Sequence, residues 1–331
     1  MAASSHSRSW DASIAKVGAS AMRLAAMKTL QHLETSRGWA RVVLQEGELH
    51  PGDTPVEADY DAHHKFASVM NNHVASAQLA VEHIVGEEKI LKSPPTVAPG
   101  SRIIVLDPLD GSTQWMMIRT GHCVSALMLL ADDTGSLSVE SAVVVNPVHA
   151  FTLVNNSLMM GPTNGSSDGD IVLTSCLPDT LEEPSLAITG FKSKDRGSFS
   201  TLIGELPGWS CLSIGGNPVT PYVIAGSLSA CVTWRPQYTW DAVGILMATY
   251  TDAVVGNLDG DRVTGPAFAK VFNDVVMTQD ARVIPPMIVA KDLERFEAVV
   301  LAMERARQKF GPRFGTGMEL DLNSPPQRGD A

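Results

Sequence analysis

Apolar side chains recur at helical spacing early in the chain, at Ile14, Val17, Met22, Leu24, Leu30 and Leu33. This predicts an opening amphipathic helix over residues 14–33, with Gly18 as a weak point. Residues 47–55 carry Gly, Pro and Asp and read as a loop. A second helical pattern covers 62–74, a further one 77–85, and a Pro/Gly-rich connection spans 93–100. The pattern then changes. Ile103, Ile104, Val105 and Leu106 form a short apolar run, rich in β-branched residues, which predicts a buried strand. Strands are also expected over 124–130 and 142–145, joined by the turn Asp132-Asp133-Thr134-Gly135, and over 151–160. Residues 161–170, GPTNGSSDGD, are the most loop-like stretch and place a domain boundary.

Beyond it the pattern alternates. Strands are expected at 171–173, 186–189, 211–214, 230–234 and 283–290, and helices at 198–206, 218–225, 241–251 and 293–303. Phe296, Val299, Val300 and Met303 repeat at i, i+3, i+4, i+7, as a buried helical face requires. Asn257-Leu258-Asp259-Gly260 reads as a hairpin turn. Alternation of this kind predicts an α/β fold. Residues 1–165 form one expected domain and 166–315 a second, with a polar mobile tail over 316–331.

Composition narrows the function. The chain has 331 residues, of which 44% are hydrophobic and 18% charged, enough for a large core. A net charge of −11 gives no electrostatic footprint for a nucleic acid polymer or an anionic membrane. An anionic substrate would therefore need positive charge supplied locally, as by bound cations. The four cysteines are scattered, with no C-x-x-C pair, and read as buried free thiols. The polar N-terminus lacks the apolar core of a secretory signal, and no apolar run approaches the ~20 residues of a membrane span. A cytoplasmic location is expected.

The chemistry concentrates at the end of the predicted strand over 103–106, which runs into Asp107-Pro108-Leu109-Asp110-Gly111-Ser112-Thr113. Pro108 fixes its own φ and biases Asp107 towards extended backbone. Gly111 relaxes the chain where Ser112 can start a helix. Two carboxylates at such a strand end can offer hard oxygen ligands to a divalent cation, and the following N–H groups can receive a phosphate. A plain Asx turn is the alternative. Two other acidic fragments stand apart: Gly86-Glu87-Glu88, and Trp240-Asp241-Ala242-Val243-Gly244. Each alone reads as a solvated turn or a helix cap. The three-residue spacing of Asp107 and Asp110, with proline directly after the first, differs from the two-apart aspartates of haloacid-dehalogenase phosphatases, and no P-loop motif is present.

Together and in this order, the three fragments resemble the motifs of the inositol monophosphatase superfamily, the magnesium-dependent, lithium-sensitive phosphatases. The resemblance spans about residues 11–306. It implies an alternating αβαβα sandwich of two domains with the site between them, and a small phosphomonoester as substrate. It also implies two or three Mg2+, with Glu87, Asp107 and the Leu109 carbonyl holding one and Asp107, Asp110 and Asp241 a second. Ser112 takes the position of the family threonine that orients the attacking water with an upstream aspartate. Asp59 matches that aspartate, with Asp61 as its rival; Glu87 joins Asp59 and Ser112 as a catalytic candidate. The amides of Gly111, Ser112 and Thr113 would cradle the phosphate. A homodimer is compatible with the resemblance.

Substrate choice falls elsewhere. Gly216 and Asn217 match a helix start that touches the substrate in the family, and helix capping explains them equally well. Trp234 stands where inositol monophosphatases carry a glutamate, seven residues before the motif Asp241. The run from Arg235 to Asp241 instead resembles 3'(2'),5'-bisphosphate nucleotidases. Trp234 or Tyr238 would then either stack on a base or pack in the core. Inositol monophosphatase or inositol polyphosphate 1-phosphatase activity stays open, as does a non-catalytic phosphometabolite-binding role. The sequence departs from the family at Val243, at Asp252-Ala253-Val254-Val255, at Met116 and Met117, and in having no Lys or Arg over residues 42–55.

Overall fold

The computed structural model describes residues 4–36, 57–77, 79–86, 97–112, 115–116, 121–164, 169–189, 195–213, 219–276, 284–311 and 314. The loop expected at 47–55 and the tail from 316 lie outside them. Helix α1 (Ser4–Thr35) and helix α2 (Glu57–Ala77) come first. Seven strands follow: β1 (Val81–Gly86), β2 (Arg102–Asp110), β3 (Cys123–Ala131), β4 (Leu137–Val145), β5 (His149–Val154), β6 (Ser157–Pro162) and β7 (Ile171–Leu173). They form one sheet in sequence order, β1 parallel to β2 and the rest antiparallel. The remainder runs β8 (Ser185–Thr189), α3 (Arg196–Gly204), β9 (Ser210–Ser213), α4 (Val219–Ile224) and β10 (Ala230–Thr233). A 3-10 turn (Trp240–Ala242) leads into α5 (Val243–Ala248), then β11 (Val254–Asn257), α6 (Gly265–Val276), β12 (Met287–Ala290) and α7 (Leu293–Phe310). The second sheet has the order β11-β12-β10-β8-β9.

Strand alternation sorts the core into layers. Ile104, Leu106, Val124, Ala126 and Met128 face α1 and α2 through Met22, Ala25, Ala26, Phe66 and Met70. Their neighbours Ile103, Val105, Leu127 and Leu129 face the other way. They meet α4, α5 and α6 and, beyond these helices, Ala187, Cys231 and Val289 of the second sheet. The opposite face of that sheet (Leu186, Ile188, Val232, Ile288) packs on Leu202 of α3 and on Phe296, Val299 and Met303 of α7. Period-2 strands buried on both faces therefore produce five layers, αβαβα, as the resemblance implied.

Several local expectations change. Residues 77–85 are not a third helix: α2 runs to Ala77, and Val81–Gly86 pairs in parallel with β2. The strand expected at 151–160 is a hairpin, because Asn155 and Asn156 both adopt left-handed backbone (φ 51° and 59°), as a two-residue type I′ turn demands. Gly18 of α1 is a contact point: a Cβ there would lie 2.9 Å from the Met128 sulfur. Helix α1 buries mainly alanines (Ala15, Ala19, Ala21, Ala25, Ala26), while Val17 is exposed. The helix expected at 241–251 is shorter, a 3-10 turn followed by α5. Strand β7, assigned to the second half by its position after the loop, hydrogen-bonds to β6 in the first sheet. The Asn257–Gly260 turn does close a hairpin, with Gly256 bridged to Arg262.

Candidate metal centre

Every residue of β2 is buried, including both aspartates. In a regular strand, residues three apart point to opposite faces. Here the ladder with β3 slips: Asp107 pairs with Ser125 and Asp110 with Cys123. Pro108 and Leu109 therefore oppose the single residue Val124, which is a β-bulge. Proline, lacking an N–H, is at home in a bulge. The extra residue returns Asp110 to the side of Asp107, the face that Ile103 and Val105 turn towards the second half of the molecule. The Leu109 amide donates to Asp107 Oδ1 at 3.1 Å and holds the kink closed. Gly111 then takes φ +88°, a left-handed conformation that favours glycine. Ser112, half-buried, opens a helical turn closed by the Trp115 amide donating to the Gly111 carbonyl at 3.0 Å.

The third carboxylate arrives from the other half. Asp241 lies in the 3-10 turn between β10 and α5, and the Tyr238 amide donates to its Oδ2 at 3.3 Å. Asp107, Asp110 and Asp241 each place one ligand oxygen so that all three lie within 4.8 Å of one another. Two unit charges no farther apart than this repel by at least about 3.5 kcal/mol at an effective dielectric of ~20. The field is felt by the neighbouring thiol. Cys123, fully buried, donates to Asp110 Oδ2 at 3.8 Å. Burial first, then Asp110, Asp107 and Asp241, push that thiol well above its ordinary range. Three clustered carboxylates with all-oxygen donors fit a hard divalent cation such as magnesium, which turns mutual repulsion into shared attraction.

The other predicted residues fall into three groups. Asp59 is buried in the first turn of α2. Its neighbour Ala58 packs with Ala62, Leu33, Trp115 and Leu109, which brings this helix start against the bulge. Asp61, its rival, is exposed. Glu87, Thr113, Gly216 and Asn217 lie outside the described residues. Gly86, just before Glu87, pairs with Leu106, the residue before Asp107. A Cβ there would sit 2.0 Å from the Leu106 carbonyl oxygen, so only glycine fits this approach. Trp234 is the correction. It is fully buried, edge-on to Phe314 at 5.7 Å, in the core beneath α3 and α7. That place in the core is the packing reading of this residue. Tyr238 also stacks inward, on Trp240, with ring centroids 4.8 Å apart.

Two residues at the centre carried no sequence signal of their own, Cys123 and Ser125. Their place beside the aspartates depends on the β2–β3 register, which residue patterns do not encode.

No family model matches the sequence, and no curated protein matches it. Solved structures do resemble it. An IMPase from Thermotoga maritima superposes with a TM-score of 0.57 at 18% identity, covering 87% of this chain and 97% of that one. CysQ from Bacteroides thetaiotaomicron, a bacterial member of the inositol monophosphatase family, gives 0.53 at 14% identity, covering 83% and 97%. An IMPase/NADP phosphatase complexed with Mg2+ and phosphate gives 0.50 at 13% identity, covering 77% and 84%. The likeness is one of fold.

Proposed function

We propose that this chain, which has the inositol monophosphatase fold, is a magnesium-dependent phosphomonoesterase acting on a small phosphorylated metabolite. The observation that carries the reading is the convergence of Asp107, Asp110 and Asp241 from two halves of the molecule into one cluster, the first two buried and the third half-buried. These three, with Glu87 and the Leu109 carbonyl, are the residues that would hold magnesium. When bound, the cation supplies Lewis-acid chemistry, neutralising phosphate charge and making water acidic enough to attack phosphorus. The protein's own part is to orient and to exclude. Asp59 and Ser112 would orient the attacking water. The amides of Gly111, Ser112 and Thr113, at the start of a helical turn, receive the phosphate oxygens. Burial of Asp59, Asp107 and Asp110 strengthens the interactions that these three make.

Within this class, a 3'(2'),5'-bisphosphate nucleotide is the best-supported substrate. The Arg235–Asp241 run resembles the corresponding nucleotidase segment. The position that carries a polyol-binding glutamate in inositol monophosphatases is a tryptophan turned into the core, so it offers no acceptor to ring hydroxyls. The test is a phosphate-release panel with magnesium over bisphosphonucleotides, inositol phosphates and sugar phosphates. Fastest release from the bisphosphonucleotide, inhibition by lithium, and loss of release in Asp110→Asn are expected. Absence of release from every member would overturn the reading and favour a binding role.

A further inference from the structure

The cluster is assembled from two pieces of chain that repel each other. Asp107 and Asp110 are fixed to the first sheet by the β2–β3 ladder. Asp241 rides on a short 3-10 turn whose cap residue, Thr239, makes no side-chain capping bond. Something must hold that turn against the sheet when no cation draws the carboxylates together. Ser125 is placed to do so. It is 1% exposed and lies directly opposite Asp107 in the β2–β3 register. Its hydroxyl donates to the carbonyl of Trp240, the residue before Asp241, at 3.1 Å. One side chain thus joins the strand beside the first ligand to the backbone beside the third.

We infer that Ser125 is a positioning residue: its hydroxyl sets the separation between the Asp107–Asp110 pair and Asp241, and so sets how tightly the trio binds a divalent cation. The inference rests on the metal-centre reading above. Without the hydroxyl, like charge drives the Trp240–Asp241 turn outward, and binding a cation must first draw it back. The Trp240 carbonyl would also be left buried without this donor.

Mn2+ binding measured by titration calorimetry on the full chain tests this, alongside the melting temperature of each cation-free protein. Ser125→Ala removes the hydroxyl, Ser125→Cys keeps the volume with a weak donor, and Ser125→Thr restores the donor. The first two should weaken Mn2+ binding by about 3- to 10-fold, the value of one buried hydrogen bond, and the threonine variant should stay within about 2-fold of wild type. A purely structural serine would lower the melting temperature of the cation-free protein and leave Mn2+ affinity unchanged. That outcome, in either the alanine or the cysteine variant, overturns the inference while leaving the metal centre standing. If wild-type protein binds no Mn2+, the metal centre and this inference fall together. If it binds Mn2+ with the expected Ser125 dependence yet releases no phosphate, the enzymatic reading fails and the positioning role holds.

Discussion

Two stretches of this chain look alike on paper. In each, a short apolar strand runs into an acidic, glycine-containing turn: Val105-Leu106-Asp107-Pro108-Leu109-Asp110-Gly111 and Val254-Val255-Gly256-Asn257-Leu258-Asp259-Gly260. The molecule treats them oppositely. Around Gly260 the charges are exposed and settled locally. Asn257 Oδ1 accepts from the amides of Asp259 and Asp261 at 3.0 and 2.9 Å, Asn257 donates to Asp261 Oδ2, and Arg307 donates to Asp259 at 2.6 Å. At the end of β2 both carboxylates are buried, turned to one side by a bulge, and set against a third. An acidic turn can offer a cation site when the fold concentrates its charge, and remains a turn when the chain disperses it.

Substitutions can break this comparison. The largest effect is expected at Asp110. Asp110→Asn should reduce cation affinity by about 100-fold or more, since even partners of metal ligands cost 10- to 100-fold. The same change should stabilise the cation-free protein by on the order of 1 kcal/mol, because it relieves repulsion. A fall in cation-free melting temperature would sink the account of stored repulsion. A second measurement separates burial from the carboxylate field. Burial raises the Cys231 thiol from 9.0 to about 12, with no carboxylate contributing. A group with a raised native pKa contributes its stability fully below the unfolded value and loses it as pH climbs through the native one. Unfolding free energy should therefore decline between pH 9 and about 12. Cys231→Ala should flatten that decline by up to ~1.4 kcal/mol per pH unit in denaturant titrations. An unchanged slope would contradict it. The smallest effect belongs to the dispersed turn: Asp259→Asn should move stability by no more than about 0.5 kcal/mol and leave cation binding untouched.

What the sequence made legible were features that short windows contain. The Asp107–Ser112 run, the hairpin at Asn257 and the buried face of α7 are local patterns with local causes. The bulge is not: Asp107 and Asp110 share a face only because β3 slips past β2, which requires a partner strand. β1 read as a helix because Val81, Ile84 and Val85 also suit a 3.6-residue period, and pairing with β2 decided otherwise. α6 carries no expectation from the sequence, and its Pro266 is well suited to a first helical turn. Trp234 read as a base-stacking surface or, more readily, as core, and the packing of α3 and α7 over β10 shows it in the core. Asp59 and Asp61 were both legible as candidates, and their difference in burial is invisible in sequence.

The helices α4, α5 and α6 share a single apolar cluster with both sheets. Neither sheet can shed the other without exposing that middle layer on one side. Separated halves of the chain would each carry an open apolar slab, so the whole should melt in one cooperative transition. The carboxylate trio sits on the same seam, with two members on the first sheet and one at the entrance to α5. A cation bound there would therefore act as a rivet across the seam, and its binding energy would add to the stability of the entire fold.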